Sequence, residues 1–250
     1  MNDVHIDRVP EISIQGVQPY AIDVAESILT DLSKRLENTR WSPQIAGLGW
    51  DGGMDASYLR ELCDYWREGY NWRREEKKLN QLAHYRTEID NIGIHFVYER
   101  GKGPAPFPLI LTHGYPDSFY RFVKLIPLLT DPAAFRGHAE DAFDVVVLDI
   151  PGYGFSDKPD KRGSTFRVSD LWARLITERL GYGRFGAHGG DWGSTITEQL
   201  AKQIPVPSPQ FISLKFRSDT CCGSLMIPRR LNKSCSRKMR TGSKRKEHAR

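Results

Sequence analysis

Gly189-Gly190-Asp191-Trp192-Gly193 sets one carboxylate inside a glycine frame, where the run Arg184–His188 meets a helical stretch from about Ser194 to Ala201. The pattern small-x-nucleophile-x-small is that of a sharp strand-to-helix turn that lifts its central side chain clear of the backbone. Glycines suit it because Cβ atoms two residues either side of so tight a turn collide. The carboxylate then faces the N-terminus of the next helix, whose dipole favours the ionised form. Aspartate in place of serine selects the chemistry. A serine attacking an sp³ carbon leaves an ether, which water does not readily cleave. A carboxylate leaves an alkyl ester whose carbonyl belongs to the protein and can be hydrolysed. Asp191 therefore points to displacement at alkyl carbon, with epoxides or haloalkanes as electrophiles, and away from ester or amide hydrolysis. A loop aspartate that merely caps a helix is the plain alternative for GGDWG alone.

Two further loops lie where such a turn needs them. His113-Gly114-Tyr115-Pro116 follows the apolar run Phe107–Thr112, and in this arrangement that loop gives one backbone N–H to an oxyanion hole while the residue after the nucleophile gives the other. The expected donors are the amides of Tyr115 and Trp192, with His113 as a structural residue of the loop and not a general base. Pro151-Gly-Tyr-Gly-Phe-Ser-Asp157 follows Asp144–Ile150 and reads as a tight turn that supports the same rim.

These loops require a frame of strands and helices. Ile89–Arg100 alternates with period two, while Phe107–Thr112 and Asp144–Ile150 are continuous apolar runs suited to strands buried on both faces. Ser118–Leu129 and Phe166–Leu180 carry helical periodicity. Strands alternating with helices predict an α/β fold with a parallel, doubly wound sheet. Ahead of it, Ala21–Leu36 reads as a helix opened by a capping box of Asp23 and Glu26, Thr39–Gly53 as a loop, and the chain from about Asp55 as a helix. Tyr58, Leu59, Leu62, Tyr65, Trp66 and Tyr70 share a face of that second helix, read as core packing between two helices.

Composition divides the chain unevenly. The formal net charge is +5, yet residues 202–250 hold 13 Lys and Arg against Asp219 and Glu247, so the first 201 residues carry −6. That basic stretch lacks sustained periodicity and is expected to be disordered. It lacks interleaved aromatics or a recognisable module, so specific nucleic-acid binding is not expected. Four cysteines without framework or metal-ligand spacing, no secretory signal and no long apolar run predict a cytoplasmic chain with no transmembrane segment.

HGYP, PGYGFSD and GGDWG in this order resemble the α/β-hydrolase-fold epoxide hydrolases. The stretch LENTRW…GLGWDGG…YLRELCDYWREGYNWRREEKKLN, followed by TEIDNIGIHFVYER, is similar to the N-terminal domain of the microsomal and juvenile-hormone types. The likeness spans about Tyr20 to Ala201. It implies an epoxide hydrolase N-terminal domain over 1–87, the first half of an α/β-hydrolase core over 88–201, and a basic tail over 202–250. It also implies a small-molecule epoxide as substrate, no cofactor, attack by Asp191, a histidine held by an acid that activates water, and two lid tyrosines. The sequence departs from that pattern after Ala201. No tyrosine follows Tyr182, and the only histidine after Asp191 is His248, in an Asp191…Asp219…His248 order too compressed to hold a cap and further strands. A shifted frame or retained intron accounts for so abrupt a change, and the expectation is an incomplete fold, impaired in turnover, with an open sheet edge. A haloalkane dehalogenase is disfavoured because Tyr115 stands where that group places Asn; a non-catalytic truncated product is the other alternative.

Overall fold

The computed structural model of the chain describes residues 16–159 and 167–203 with their side chains, and residues 165–166, 211–218 and 221–228 as backbone. The described residues divide into two compact units: residues 21–82, and those of 16–20 and 83–228.

The larger unit is built on one eight-stranded sheet. Its strands are β1 (Val17–Pro19), β2 (His84–Ile89), β3 (Ile92–Glu99), β4 (Phe107–Thr112), β5 (Phe143–Leu148), β6 (Gly186–Gly190), β7 (Phe211–Ser218) and β8 (Cys221–Pro228), in the order β1-β2-β3-β5-β4-β6-β8-β7. Only β5, β4 and β6 run parallel, so the sheet is mixed and not parallel throughout. The single strand expected over Ile89–Arg100 is instead the end of β2, a two-residue turn and β3. Asp90 and Asn91 both take left-handed φ, 54° and 60°, the geometry that lets two residues join twisted antiparallel strands. All of β3 but its last residue is buried. The edge beyond β6 is not left open, because its backbone pairs antiparallel with β8, which pairs with β7. Disorder was expected there; unpaired N–H and C=O groups at a strand edge favour such pairing. The rest of 204–250, including Asp219 and His248, lies outside the described residues.

Alternation along the central strands sends side chains to both faces. Ile110, Val146 and Leu148 join Ile94 and Phe96 in a core with Trp172, Leu175, Ile176, Ile196 and Leu200. Those partners come from helix Thr165–Arg174, its π-helical continuation Leu175–Arg179, and helix Trp192–Gln203. The helix expected over Ser118–Leu129 is broken into a 3₁₀ turn, Phe119–Phe122, and a short helix, Ile126–Thr130, with Pro127 in its first turn. Proline is well placed there and poorly placed inside one continuous helix.

The smaller unit holds α1 (Glu26–Glu37), α2 (Ala56–Glu68) and α3 (Trp72–Leu79). Helix α1 begins at Glu26 after Ala25, with no side-chain cap, so the Asp23–Glu26 capping box does not form. Asp55 caps α2 by accepting from the Ser57 and Tyr58 amides. Neither α1 nor α2 has a buried residue. The face expected to pack as core instead lines an open cavity of about 880 Å³, with Leu29, Leu32 and Leu36 facing Leu62, Tyr65 and Trp66. Two helices alone cannot enclose both apolar stripes.

Polar bonds do more of the tying. Glu76 is buried at 7% exposure and accepts from the Val24 amide (2.8 Å), the Trp72 indole (2.8 Å) and Arg73 (2.7 Å). The Asn80 side chain meets both the N–H and the C=O of Ile22 at 2.8 Å. Burial alone would raise the Glu76 carboxyl, but the Val24, Arg73 and Trp72 bonds together hold it below its ordinary value. A depressed carboxylate stabilises the fold above its unfolded pKa, and that contribution is lost as pH falls through the folded value. Glu76→Ala strands these donors and is expected to cost on the order of 2 kcal/mol. In urea titrations followed by tryptophan fluorescence, the gap from wild type should be full at pH 7 and close as pH drops below about 4.

Candidate active site

The three parallel strands end on the same side, and the loops leaving them supply the site. At the end of β6, Asp191 takes φ +55°, a left-handed conformation that costs a non-glycine residue on the order of 1–2 kcal/mol. Close approach of the flanking backbone enforces the bend. A Cβ on Gly189 would lie 2.3 Å from the Gly193 carbonyl oxygen, and one on Gly193 would lie 2.2 Å from that of Thr112. The elbow is thus pressed against the end of β4.

The loop after β4 meets it from the other side. The Tyr115 amide donates to Asp191 Oδ1 at 2.8 Å, and the Trp192 amide is a second donor to the carboxylate. Gly114 makes the approach possible, since a Cβ there would fall 2.4 Å from that of Asp191. The Tyr115 bond first, then the Trp192 bond, hold the Asp191 carboxyl below the usual carboxylate range; slight burial opposes them and the Arg121 charge assists. Arg121 is itself paired with Asp117 at 2.7 Å. Asp191, Tyr115 and Trp192, singled out from the sequence, therefore come together. In this resting arrangement the two amides hold the aspartate's own carboxylate. Tyr115 (66% exposed), Trp192 (53%) and half-buried Tyr153 form an aromatic rim, with the Tyr115 and Tyr153 rings edge to face at 6.4 Å.

Beneath this rim lies an acid to which the sequence pattern assigns no role. Asp149, fully buried just past β5, accepts from the Phe119 amide (2.7 Å), the Phe155 amide (3.0 Å) and His95 Nδ1 (2.7 Å). It thereby knots the segment after HGYP to the PGYGFSD turn. His95 Nε2 in turn faces His84 Nδ1 at 2.9 Å. The available signal was an acid immediately after an apolar strand, DVVVLD, since a charge at such a place needs partners. Asp157 closes the same turn by pairing with Arg86 and accepting from the Gly93 amide at 2.8 Å. Among the described residues no group of three or more His, Cys, Asp or Glu could hold a metal ion.

The fold and this elbow define a class: α/β-hydrolase-fold proteins with aspartate at the centre of the strand-to-helix turn. A family profile for the epoxide hydrolase N terminus matches residues 17–122, and one for the alpha/beta hydrolase fold matches residues 108–213. Epoxide hydrolase 1 of Sus scrofa is 34% identical over 196 residues, covering 76% of this chain and 43% of that protein. A Stigmatella aurantiaca protein, assigned provisionally by its name to the epoxide hydrolases, is 47% identical over 191 residues with the same coverage. The crystal structure of juvenile hormone epoxide hydrolase from Bombyx mori superposes with a TM-score of 0.66 at 31% identity, covering 75% of this chain and 50% of that one. Over most of its length the chain is similar to epoxide hydrolases, and it spans about 43% of the length of the curated relatives it matches. Among the described residues no helix is long and apolar enough to cross a membrane.

Removing the buried acid tests the knot. Asp149→Ala leaves the Phe119 and Phe155 amides and the His95 ring without their acceptor, and should lower unfolding free energy by on the order of 3 kcal/mol in denaturant titration. A change under about 0.5 kcal/mol, the range of an unconnected surface site, would mean the knot holds nothing.

Proposed function

We propose that this chain carries the alkylating site of an epoxide hydrolase, with Asp191 as the nucleophile and the Tyr115 and Trp192 amides as its oxyanion donors. The observation that carries the reading is the Asp191 carboxylate, kept ionised by two backbone N–H groups on a bend that projects it toward solvent. The oxygen held by Tyr115 becomes the ester carbonyl oxygen, and the other attacks an epoxide carbon. The C–O bond of the ring breaks as the new C–O bond forms, and the departing oxygen takes a proton to become a hydroxyl. When water later adds to the ester, negative charge develops on the oxygen that already faces Tyr115. The donors are therefore in place before they are needed. The aromatic rim favours an epoxide with an apolar substituent.

Water addition requires a base. Of the seven histidines, only His248 follows Asp191, so within these 250 residues the ester step is better provided for than its hydrolysis. The product of full turnover, a vicinal diol, is part of the same proposal for the longer relatives' architecture.

Incubation of the 250-residue chain with styrene oxide should add one substrate mass, recovered on the peptide containing Asp191, and Asp191→Asn should add none. Because the carboxyl lies below its usual range, labelling should hold level from pH 8 to pH 5 and decline only as pH passes below about 4. Equal labelling of both forms would end the proposal, and halide release from a chloroalkane without epoxide labelling would favour a dehalogenase.

A further inference from the structure

His113 directly precedes the oxyanion loop and is fully buried, yet it takes no part in the reaction just described. Its two ring nitrogens have different partners. Nε2 lies 3.1 Å from the Ile150 amide, and a backbone N–H can only donate, so Nε2 carries no proton. Nδ1 lies 2.9 Å from the Gly114 carbonyl oxygen, which can only accept, so Nδ1 carries one. The neutral Nδ1–H tautomer satisfies both contacts. The other tautomer satisfies neither, and the imidazolium turns a second N–H against the Ile150 amide.

The Gly114 carbonyl belongs to the same peptide plane as the Tyr115 amide, which donates to Asp191 at 2.8 Å. Because that unit is planar, fixing its oxygen fixes the direction of its hydrogen. The Asp117 amide also donates to the Gly114 oxygen, at 3.1 Å. We propose that His113 is a positioning residue, a neutral imidazole protonated at Nδ1 whose bond to the Gly114 carbonyl aims the Tyr115 N–H at Asp191. A donor bonded to the carbonyl of an amide also polarises that amide, strengthening the bond its N–H makes. Asp149 is the acid nearest the ring, with Oδ1 3.7 Å from Nε2. It is already engaged by Phe119, Phe155 and His95, which leaves the Ile150 contact in place. The Tyr153 ring closes the remaining side, edge-on at 5.5 Å.

The importance of this device for catalysis rests on Asp191 being the nucleophile, but its test does not, since it needs no substrate. In ¹⁵N-histidine spectra of the full chain, the signals lost in His113→Asn should show a protonated Nδ1 and an unprotonated Nε2 at neutral pH. The Asp191 carboxyl, assigned by its loss in Asp191→Asn, can be titrated by ¹³C NMR. His113→Phe, with no donor, should raise its midpoint by about one unit. His113→Asn, whose side-chain amide nitrogen reaches the Nδ1 position, should keep the wild-type midpoint. An Nε2–H or doubly protonated ring in the wild type overturns the proposal even if His113→Phe fails to fold. So does an unmoved midpoint in His113→Phe, or an Asn variant that titrates like the Phe variant. Correct tautomer and midpoints alongside failed epoxide labelling would instead retain the positioning role and remove the nucleophile.

Discussion

The hydrogen bond from the Tyr115 amide to Asp191 is the contact around which the larger unit is arranged. Two segments far apart in sequence must bring a backbone donor and a carboxylate to 2.8 Å. One of them must also hold a non-glycine residue at φ +55°. Neither condition survives alone. A left-handed aspartate relaxes unless its neighbours forbid it, and an exposed loop amide turns to water unless its peptide plane is fixed. Parallel pairing of β6 with β4 answers both, because it delivers the two loops to adjacent points on one edge. Glycine at 114, 189 and 193 then lets the backbones close to distances that any Cβ would prevent.

The same logic explains what lies under the site. The loops after β4 and β5 meet through the ring pairs Tyr115–Tyr153 and Phe119–Phe155 and are also joined through polar groups taken out of water. Such groups are costly unless every partner is present. Asp149 has three donors, His113 has one donor and one acceptor, and the Gly114 oxygen receives two N–H groups. A satisfied network of this kind has few alternative arrangements. That is the property a site needs if its donors are to be in position before charge develops.

Local chemistry made parts of this legible in the sequence. Gly189-Gly-Asp-Trp-Gly193 and His113-Gly-Tyr-Pro116 carry their steric reasons within five residues, and the elbow and the loop lie where those reasons put them. Strands Phe107–Thr112 and Phe143–Leu148 are legible for another reason, as the continuous apolar runs Phe107–Thr112 and Asp144–Ile150. Hairpin β2–β3 was read as one strand because Asp90-Asn91 lacks the glycine that usually announces such a turn. The role of Asp149 was not legible, since its partners Phe119, Phe155 and His95 act through backbone amides or lie 54 residues away. The aromatic face of α2 has the periodicity of a core helix, but periodicity reports only that a face is apolar and not what stands opposite it.

Histidine shows most clearly how structure limits chemistry here. His84, His95 and His113 are all buried, and a residue that titrates near neutrality is the usual candidate for a general base. Their geometry assigns them otherwise. His95 Nδ1 must donate to the Asp149 carboxylate, which leaves Nε2 to accept from His84 if the ring is neutral. His113 spends one nitrogen on Ile150 and the other on Gly114. A base needs a free lone pair directed at the reacting water, and neither His95 nor His113 has one to offer. The His113 ring is a fixed-polarity connector between two backbone groups, and the His95 ring links the Asp149 carboxylate to His84. The elbow above them keeps its exposed carboxylate on the Tyr115 amide, and proton transfer at that carboxylate is not a task these buried rings are placed to perform.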